Sequence, residues 1–259
     1  MALHETAITG FTQGKLYDEN RPSYTDKVVD TIAQQIEDIH SQSNIEYDVV
    51  ELGAGTGKFT KLIWPKLKNK SYLATEPSEG FLATLQQQCP AIKKIQCTAS
   101  DIPLPDNSVK AVICAQCFHW FSTPESMDEI KRVMCQEGKL FLLWNVKDTS
   151  VEWVDTFIKI IRQDQPPSPN HYTLNWKEDI DNYSGFKLQQ LLELPGVEFG
   201  GSVDDLIKNA QSVSVVASMP KDEQEKKSER VRQYLIDTHH DKEYIQVPFK
   251  TMLCVYSKV

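Results

Sequence analysis

The chain has 259 residues, 40% of them hydrophobic and 25% charged, with a formal net charge of −8. A chain of this size and balance can bury the core of one α/β unit with additions. The acidic excess argues against nucleic acid as a partner, and no apolar run is long enough to span a bilayer. The start, Met1 to Thr6, carries neither a basic region nor an apolar core, so no signal peptide is expected. Six cysteines spread through such a chain are expected to be reduced, and the location to be cytoplasmic.

The first stretch, Phe11 to Tyr24, is irregular, with aromatics between polar residues. Val28, Ile32, Ile36 and Ile39 then recur at helical spacing, with Ser23 or Thr25 as the cap. A Ser/Gln-rich loop follows at residues 41–44. Val49 to Leu52 reads as a short buried strand, and Lys58 to Trp64 as a helix stopped by Pro65. Ser71 to Thr75 is the second strand, and a helix capped by Ser78 runs to Pro90. Residues 91–97 form a third strand and 109–116 a continuous apolar fourth, as a central parallel strand should be. Thr123-Pro124-Glu125 opens a helix that Gly138 closes, and Lys139 to Asn145 is strand five. Strands and helices alternate to this point, which predicts a doubly wound α/β sheet.

The pattern then changes. Trp153, Phe157 and Ile160/Ile161 predict a helix, Pro166, Pro167 and Pro169 break it, and Tyr172 to Trp176 is aromatic and irregular. Residues 148–202 read as a cap insertion, with a short strand at 197–199. Helices are expected at 203–210 and 221–238, the second opened by Ser218 and Pro220, and a last strand at 245–257.

Function concentrates at Glu51-Leu52-Gly53-Ala54-Gly55-Thr56-Gly57, between the first strand and its helix. Glycine there lets the backbone approach a ligand. The spacing is G-x-G-x-G, not the G-x-G-x-x-G of dinucleotide folds nor a phosphate-binding P-loop. Glu76 ends the second strand 19 residues after Gly57, where an acid can accept both hydroxyls of a ribose; the alternative is a turn carboxylate before Pro77. Cys114-Ala115-Gln116-Cys117 has metal-like spacing, but neither a second pair nor suitably spaced histidines accompany it, so buried thiols and no metal are expected.

The pattern Glu51-x-Gly53-x-Gly55-x-Gly57 resembles motif I of the class I S-adenosylmethionine-dependent methyltransferases. Tyr17-x-x-x-Arg21-Pro22-x-Tyr24, Ala115-x-x-x-His119-Trp120-Phe121 and Trp144-Asn145 resemble a small-molecule branch that includes trans-aconitate methyltransferase. The resemblance implies a Rossmann-like seven-stranded sheet, S-adenosylmethionine as cofactor and a small-molecule acceptor, a carboxylate or other oxygen first and nitrogen or sulfur second. A catalytically silent cofactor-binding protein is the reading from another class. The resemblance divides the chain into an N-terminal lid (1–45), a cofactor-binding core (46–147), the cap (148–202) and C-terminal helices with a last strand (203–259).

Carried over by position, Glu51, Gly53, Gly55 and Gly57 hold the methionine end, and Glu76 with Pro77 the ribose. Ala99 and Ser100 lie beside the adenine, where the usual acid is absent at Thr98 and Asp101 is the nearest substitute. Gln116 ends strand four under the cofactor, and Tyr17 and Arg21 belong to the lid. His119, Trp120, Trp144, Tyr172 and Trp176 are substrate-side candidates; each also reads as packing. Arg21 and His119 are the catalytic candidates. A carboxylate acceptor needs no base and could be held by Arg21, whereas a phenol, alcohol or amine would need His119. Oligomeric state is open.

Overall fold

The computed structural model describes residues 22–40, 45–163, 171–173, 175–217, 219–240 and 242–259. Tyr17, Arg21 and Ser218 fall outside them. β1 (Tyr47–Leu52) pairs in parallel with β2 (Tyr72–Thr75) on one side and β4 (Val109–Ala115) on the other. β3 (Lys93–Ile95), β5 (Met134–Lys147), β6 (Phe186–Pro195) and β9 (Phe249–Lys258) complete a seven-stranded sheet in the order β3-β2-β1-β4-β5-β9-β6. β9 runs antiparallel to both β5 and β6.

Neighbouring residues of the central strands enter opposite cores. Val49, Ala111, Ile113 and Leu143 pack under α1 (Asp26–Glu37), α2 (Thr60–Ile63) and α3 (Glu79–Gln88). Val50, Val112, Leu142 and Trp144 pack on the other face against α4 (Pro124–Val133) and α6 (Asn175–Asp181). A strand buried on both faces is largely apolar, which is why Val49, Val50 and Leu52 of β1 and Ala111 to Cys114 of β4 are hydrophobic. Strand order reverses between β1 and β4, and the crevice beyond their C-terminal ends is where open α/β sheets bind ligands.

Helix starts follow their sequence signals. Thr25, Ser78 and Thr123 each accept a backbone N–H in the first turn of α1, α3 and α4. In α7 (Val203–Gln211), Ser202 and Asp205 form a reciprocal capping box. With α5 (Glu152–Arg162), α8 (Ser214–Ala217) and α9 (Lys221–His239), α7 forms a third core around Phe157, Leu206, Val231 and Leu235. A two-stranded ribbon, β7 (Phe199–Gly201) with β8 (Ile245–Val247), joins it.

Several boundaries differ from expectation. The expected cap range 148–202 contains β6, which belongs to the main sheet. A register shift between Leu188 and Gln190 breaks its alternation, and as an edge strand it stays largely exposed, so its period is hidden in sequence. The expected last strand is two strands, because Pro248 has no N–H for a ladder and separates β8 from β9. Gly138 does not close α4: the helix ends at Val133, β5 begins at Met134, and Gly138 lies within the strand. The helix expected over 58–64 is a four-residue α2 that tightens into a 3-10 turn at Trp64–Lys66 and takes in Pro65. Strand three is shorter than 91–97. No described helix is long and apolar enough to cross a membrane.

Candidate active site

β1 ends at Leu52, and the chain turns through Gly53, Gly55 and Gly57 at φ of +64°, +58° and +88°. The glycines serve different contacts. A Cβ at Gly57 would lie 2.6 Å from Leu85 Cδ1, so this glycine lets α3 pack against the turn. A Cβ at Gly53 would meet Cys117 Sγ at 3.0 Å, whereas one at Gly55 would meet nothing within 4 Å. Gly53 and Gly55 line a cleft; Gly57 is not among its lining residues.

Glu51, the last acid of β1, is almost fully buried. Its Oε2 accepts from the Thr60 hydroxyl at 2.5 Å and the Tyr72 phenol at 2.7 Å. Its Oε1 has no hydrogen-bond partner among the described residues. Burial pushes its carboxyl up to about 7, against the two hydrogen bonds and with a smaller contribution from Glu76. A buried carboxylate oxygen left without a donor, on a cleft wall, is the complement of a cationic ligand group.

Glu76, at the end of β2, is also buried. Its Oε2 accepts from Gly55 N at 2.9 Å and its Oε1 from Ser78 N at 3.0 Å. Burial raises its carboxyl, with those two bonds opposing. The carboxylate thus ties the glycine turn to the start of α3, and each oxygen retains a second lone pair. Gln116 leaves β4 at φ +65°, a left-handed conformation uncommon outside glycine, and lines the same cleft as the glycine turn.

The cleft holds about 980 Å³ of non-atom space, part of it open to solvent. Its lining includes Glu51, Gly53, Gly55, Thr56, Lys58 and Gln116 from the glycine turn and the end of β4, and Lys147, Arg162, His171, Tyr172, Asn209 and Phe249 from later in the chain. Lys147 ends β5 nine-tenths buried, its ammonium 5.2 Å and 5.8 Å from the ring centres of Phe249 and Phe157. Arg162 ends α5 with its guanidinium 3.9 Å over the Tyr172 ring. Asn145 donates to the Ser23 carbonyl at 2.7 Å and accepts from Thr251, which pins the chain at Pro22 to the rim.

Of the residues singled out from sequence, the structure brings Glu51, Gly53, Gly55, Gln116 and Tyr172 onto one cleft. Glu76 supports it from behind through Gly55. His119 and Trp120 sit in a 3-10 turn after β4, and Trp144 and Trp176 are core residues stacked 4.0 Å apart; none lines the cleft. The Trp144 indole donates to His119 Nδ1 at 3.1 Å. Indole is a donor only, so Nδ1 carries the lone pair and the ring proton sits on Nε2. The base expected at His119 therefore has its Nδ1 engaged by the core indole and is not among the described residues that line the cleft. Pro77 accepts from the Gln96 amide, Ala99 packs against the second core, and Ser100 Oγ lies 3.2 Å from Thr98 Oγ1; none lines the cleft. The Cys117 thiol donates to the Leu52 carbonyl at 3.0 Å, and burial, then Cys114, pushes it well above the usual thiol range. No metal-holding group of His, Cys, Asp and Glu occurs among the described residues.

Lys147, Arg162, His171 and Asn209 line the cleft without having been singled out from sequence. The one signal for Lys147 was its position at the carboxyl end of a parallel strand, where such sheets bind ligands. The others sit on helices and turns whose approach to the sheet no local pattern reveals.

Fold and cleft together define a doubly wound α/β protein that binds a ligand against an acid-and-glycine turn. Residues 50–142 match a family described as "Methyltransferase domain". An uncharacterized methyltransferase-like protein of Schizosaccharomyces pombe is 33% identical over 81% of this chain and 79% of its own length. A second uncharacterized methyltransferase of that yeast is 30% identical over 93% and 92%. A malonyl-[acyl-carrier protein] O-methyltransferase of Halorhodospira halophila is 24% identical over 43% of this chain and 38% of its own. A solved structure from Anaeromyxobacter dehalogenans, provisionally named a type II methyltransferase, shares the fold with a TM-score of 0.64 at 17% identity, over 92% of this chain and 96% of that one. The chain belongs to the class I S-adenosylmethionine-dependent methyltransferases. S-adenosylmethionine is accordingly its cofactor, and the residues present fit it: the orphaned Glu51 Oε1 suits an ammonium group, and the open face of Gly55 leaves room for close approach.

Proposed function

We propose that the protein methylates an oxygen atom of a small molecule, with a carboxylate as the preferred acceptor. The observation that carries this reading is the state of His119. Its Nδ1 accepts from the Trp144 indole and it is not among the described cleft residues, so His119 is not placed to deprotonate an amine or phenol there. The malonyl-directed O-methyltransferase among the relatives acts on a substrate that bears a carboxylate.

When bound, the cofactor supplies a methyl carbon that an acceptor oxygen takes as the C–S bond breaks and its electron pair stays on sulfur; a carboxylate acceptor releases no proton. The chain's own part is placement. Glu51 would hold the ammonium end and Glu76 the ribose, while Gly53 and Gly55 let the backbone come close. Gln116 and Tyr172 would flank the acceptor and exclude water. Arg21 and Tyr17, expected in the lid, lie outside the described residues.

A second reading has one observation behind it. His171 lines the cleft, and as a base it would serve an alcohol or phenol. Incubation with methyl-labelled cofactor and a metabolite extract separates the two. A methyl ester releases labelled methanol in mild alkali, and a methyl ether or methylamine does not. Label that stays in an alkali-stable product would overturn the carboxylate reading.

A further inference from the structure

We infer that Asn145 is a positioning residue for the cofactor: it ties Pro22 and Ser23, in the segment that leads into α1, to the end of β5, so that Pro22 and Tyr24 keep their places in the cleft lining. The inference rests on the methyl-transfer reading and adds to it a residue that acts on the cofactor through another segment.

Three observations carry it. The first is the kind of residue found there. On the α1 side of β5, Phe141 and Leu143 are apolar and fully buried. Strand alternation brings Asn145 to the same face, and it too is buried, only 6% exposed. A buried carboxamide is costly unless its donors and acceptor are used, and here they are. The β5–β9 register sets Thr251 directly opposite Asn145, and the Thr251 hydroxyl donates to Asn145 Oδ1 at 2.7 Å. The amide nitrogen donates to the Ser23 carbonyl at 2.7 Å and at longer range to the Pro22 carbonyl at 3.4 Å. Carbonyls only accept, so the nitrogen end of the amide must be the one that meets them.

The second observation is what the tie holds. Residues 22–25 are irregular, outside any strand or helix, so their backbone carbonyls depend on side-chain donors. Thr25 anchors the far end, its hydroxyl donating to the Pro195 carbonyl of β6 at 3.0 Å. The near end, at Pro22 and Ser23, is held by Asn145. The third is where the segment lies. The Tyr24 ring packs edge-on against Phe59, just after the glycine turn, with ring centres 5.0 Å apart. Pro22, Tyr24 and Phe59 line the same cleft as Glu51 and Gly55. The segment is thus fixed both to β5 and beside the glycine turn. Pro22-x-Tyr24 and Trp144-Asn145, separate motifs in the sequence, meet in this one contact. A leucine at 145 would continue the apolar face and lose the tie.

The test uses the full chain, with calorimetry of S-adenosylhomocysteine binding and thermal melts without ligand. Asn145→Asp keeps the size and sets a carboxylate oxygen against two carbonyls. Asn145→Leu combined with Thr251→Val removes both polar partners within the sheet, a change that leaves stability nearly unaltered and releases the segment. Both variants should bind S-adenosylhomocysteine about tenfold more weakly, with faster dissociation, as expected for a lost hydrogen-bonded contact. Ile32→Val is the control, since Ile32 packs α1 in the core and does not line the cleft. It should lower the melting temperature while affinity stays within about threefold. Unchanged affinity in the folded double variant would overturn the inference. So would an equal affinity loss in Ile32→Val, because destabilising α1 would then suffice. Loss of folding in both Asn145 variants would also overturn it, since the contact would then hold the sheet and not the cofactor site. Failure of the wild-type chain to bind S-adenosylhomocysteine would overturn the methyl-transfer reading itself, and this inference with it.

Discussion

The two parts of the cleft lining are made in different ways. The part proposed to hold the cofactor, here the cofactor wall, comes largely from two short runs, Glu51 to Lys58 and Ala115 to Gln116, at the ends of adjacent parallel strands. The part proposed to meet the acceptor, here the acceptor wall, is assembled from Lys147, Arg162, His171 and Tyr172, Asn209 and Phe249, spread over more than 100 residues and five elements or turns. A contiguous turn is set by local backbone demands. A wall gathered from distant elements can change its chemistry one residue at a time without disturbing the cofactor. The cofactor assignment was therefore readable early, whereas the acceptor depends on how the cap packs.

Variants of the cofactor wall should break cofactor binding, and variants of the acceptor wall should not. The largest effect is expected for Glu51→Gln. Loss of the charged acceptor should weaken S-adenosylhomocysteine by about 10- to 100-fold in calorimetry. The same variant should alter the pH dependence of stability without cofactor. Burial holds Glu51 at about 7 against an ordinary 4.5. Between those values the folded chain retains a proton the unfolded chain has released, so this group's contribution, complete below 4.5, is lost as pH rises to about 7. Thermal melts of the cofactor-free protein from pH 5 to 8 should show that decline, and Glu51→Gln should flatten it. An unchanged slope would mean that Glu51 titrates normally.

The next effect divides the glycines. Gly57→Ala should destabilise the fold by about 1–3 kcal/mol from overpacking, with more from the left-handed backbone, because its Cβ meets Leu85 at 2.6 Å. Gly55→Ala carries only the backbone strain, about 1–2 kcal/mol, yet should lose cofactor affinity because its open side faces the cleft. Equal melting temperatures for the two would contradict the packing difference.

Trp144→Phe removes the indole donor that fixes His119 and should cost about 1–2 kcal/mol in denaturant unfolding. Nitrogen NMR should find the His119 proton on Nε2 in the wild type; a proton on Nδ1 would return His119 to the list of bases. The smallest effect is expected for Tyr172→Ala. Loss of the ring beneath Arg162 should raise the acceptor KM about three- to tenfold, with no change in S-adenosylhomocysteine affinity. A matching loss of cofactor affinity would show that the two walls are not separable.

The sequence by itself determined the glycine turn and the sheet's parallel half. Glycines at fixed spacing, an acid before them and another at the next strand end are short-range requirements of one turn, and the centres of β1 and β4 are largely apolar because both faces are buried. Helix starts at Thr25, Ser78 and Thr123 were legible for the same reason, since a cap acts within one turn. Only the tertiary structure decided the rest. β6 hid behind a bulge and an exposed edge, and Trp144 and Trp176 became core because two distant segments stack them together. His119 read as a base or a packed ring, and only the structure shows its Nδ1 accepting from the Trp144 indole, 25 residues away. Lys147 and Arg162 look like ordinary charges at the ends of a strand and a helix. Packing of α5 and α7 beside the end of β5 turns them inward, and that depends on contacts between elements far apart in the chain, which no local pattern encodes.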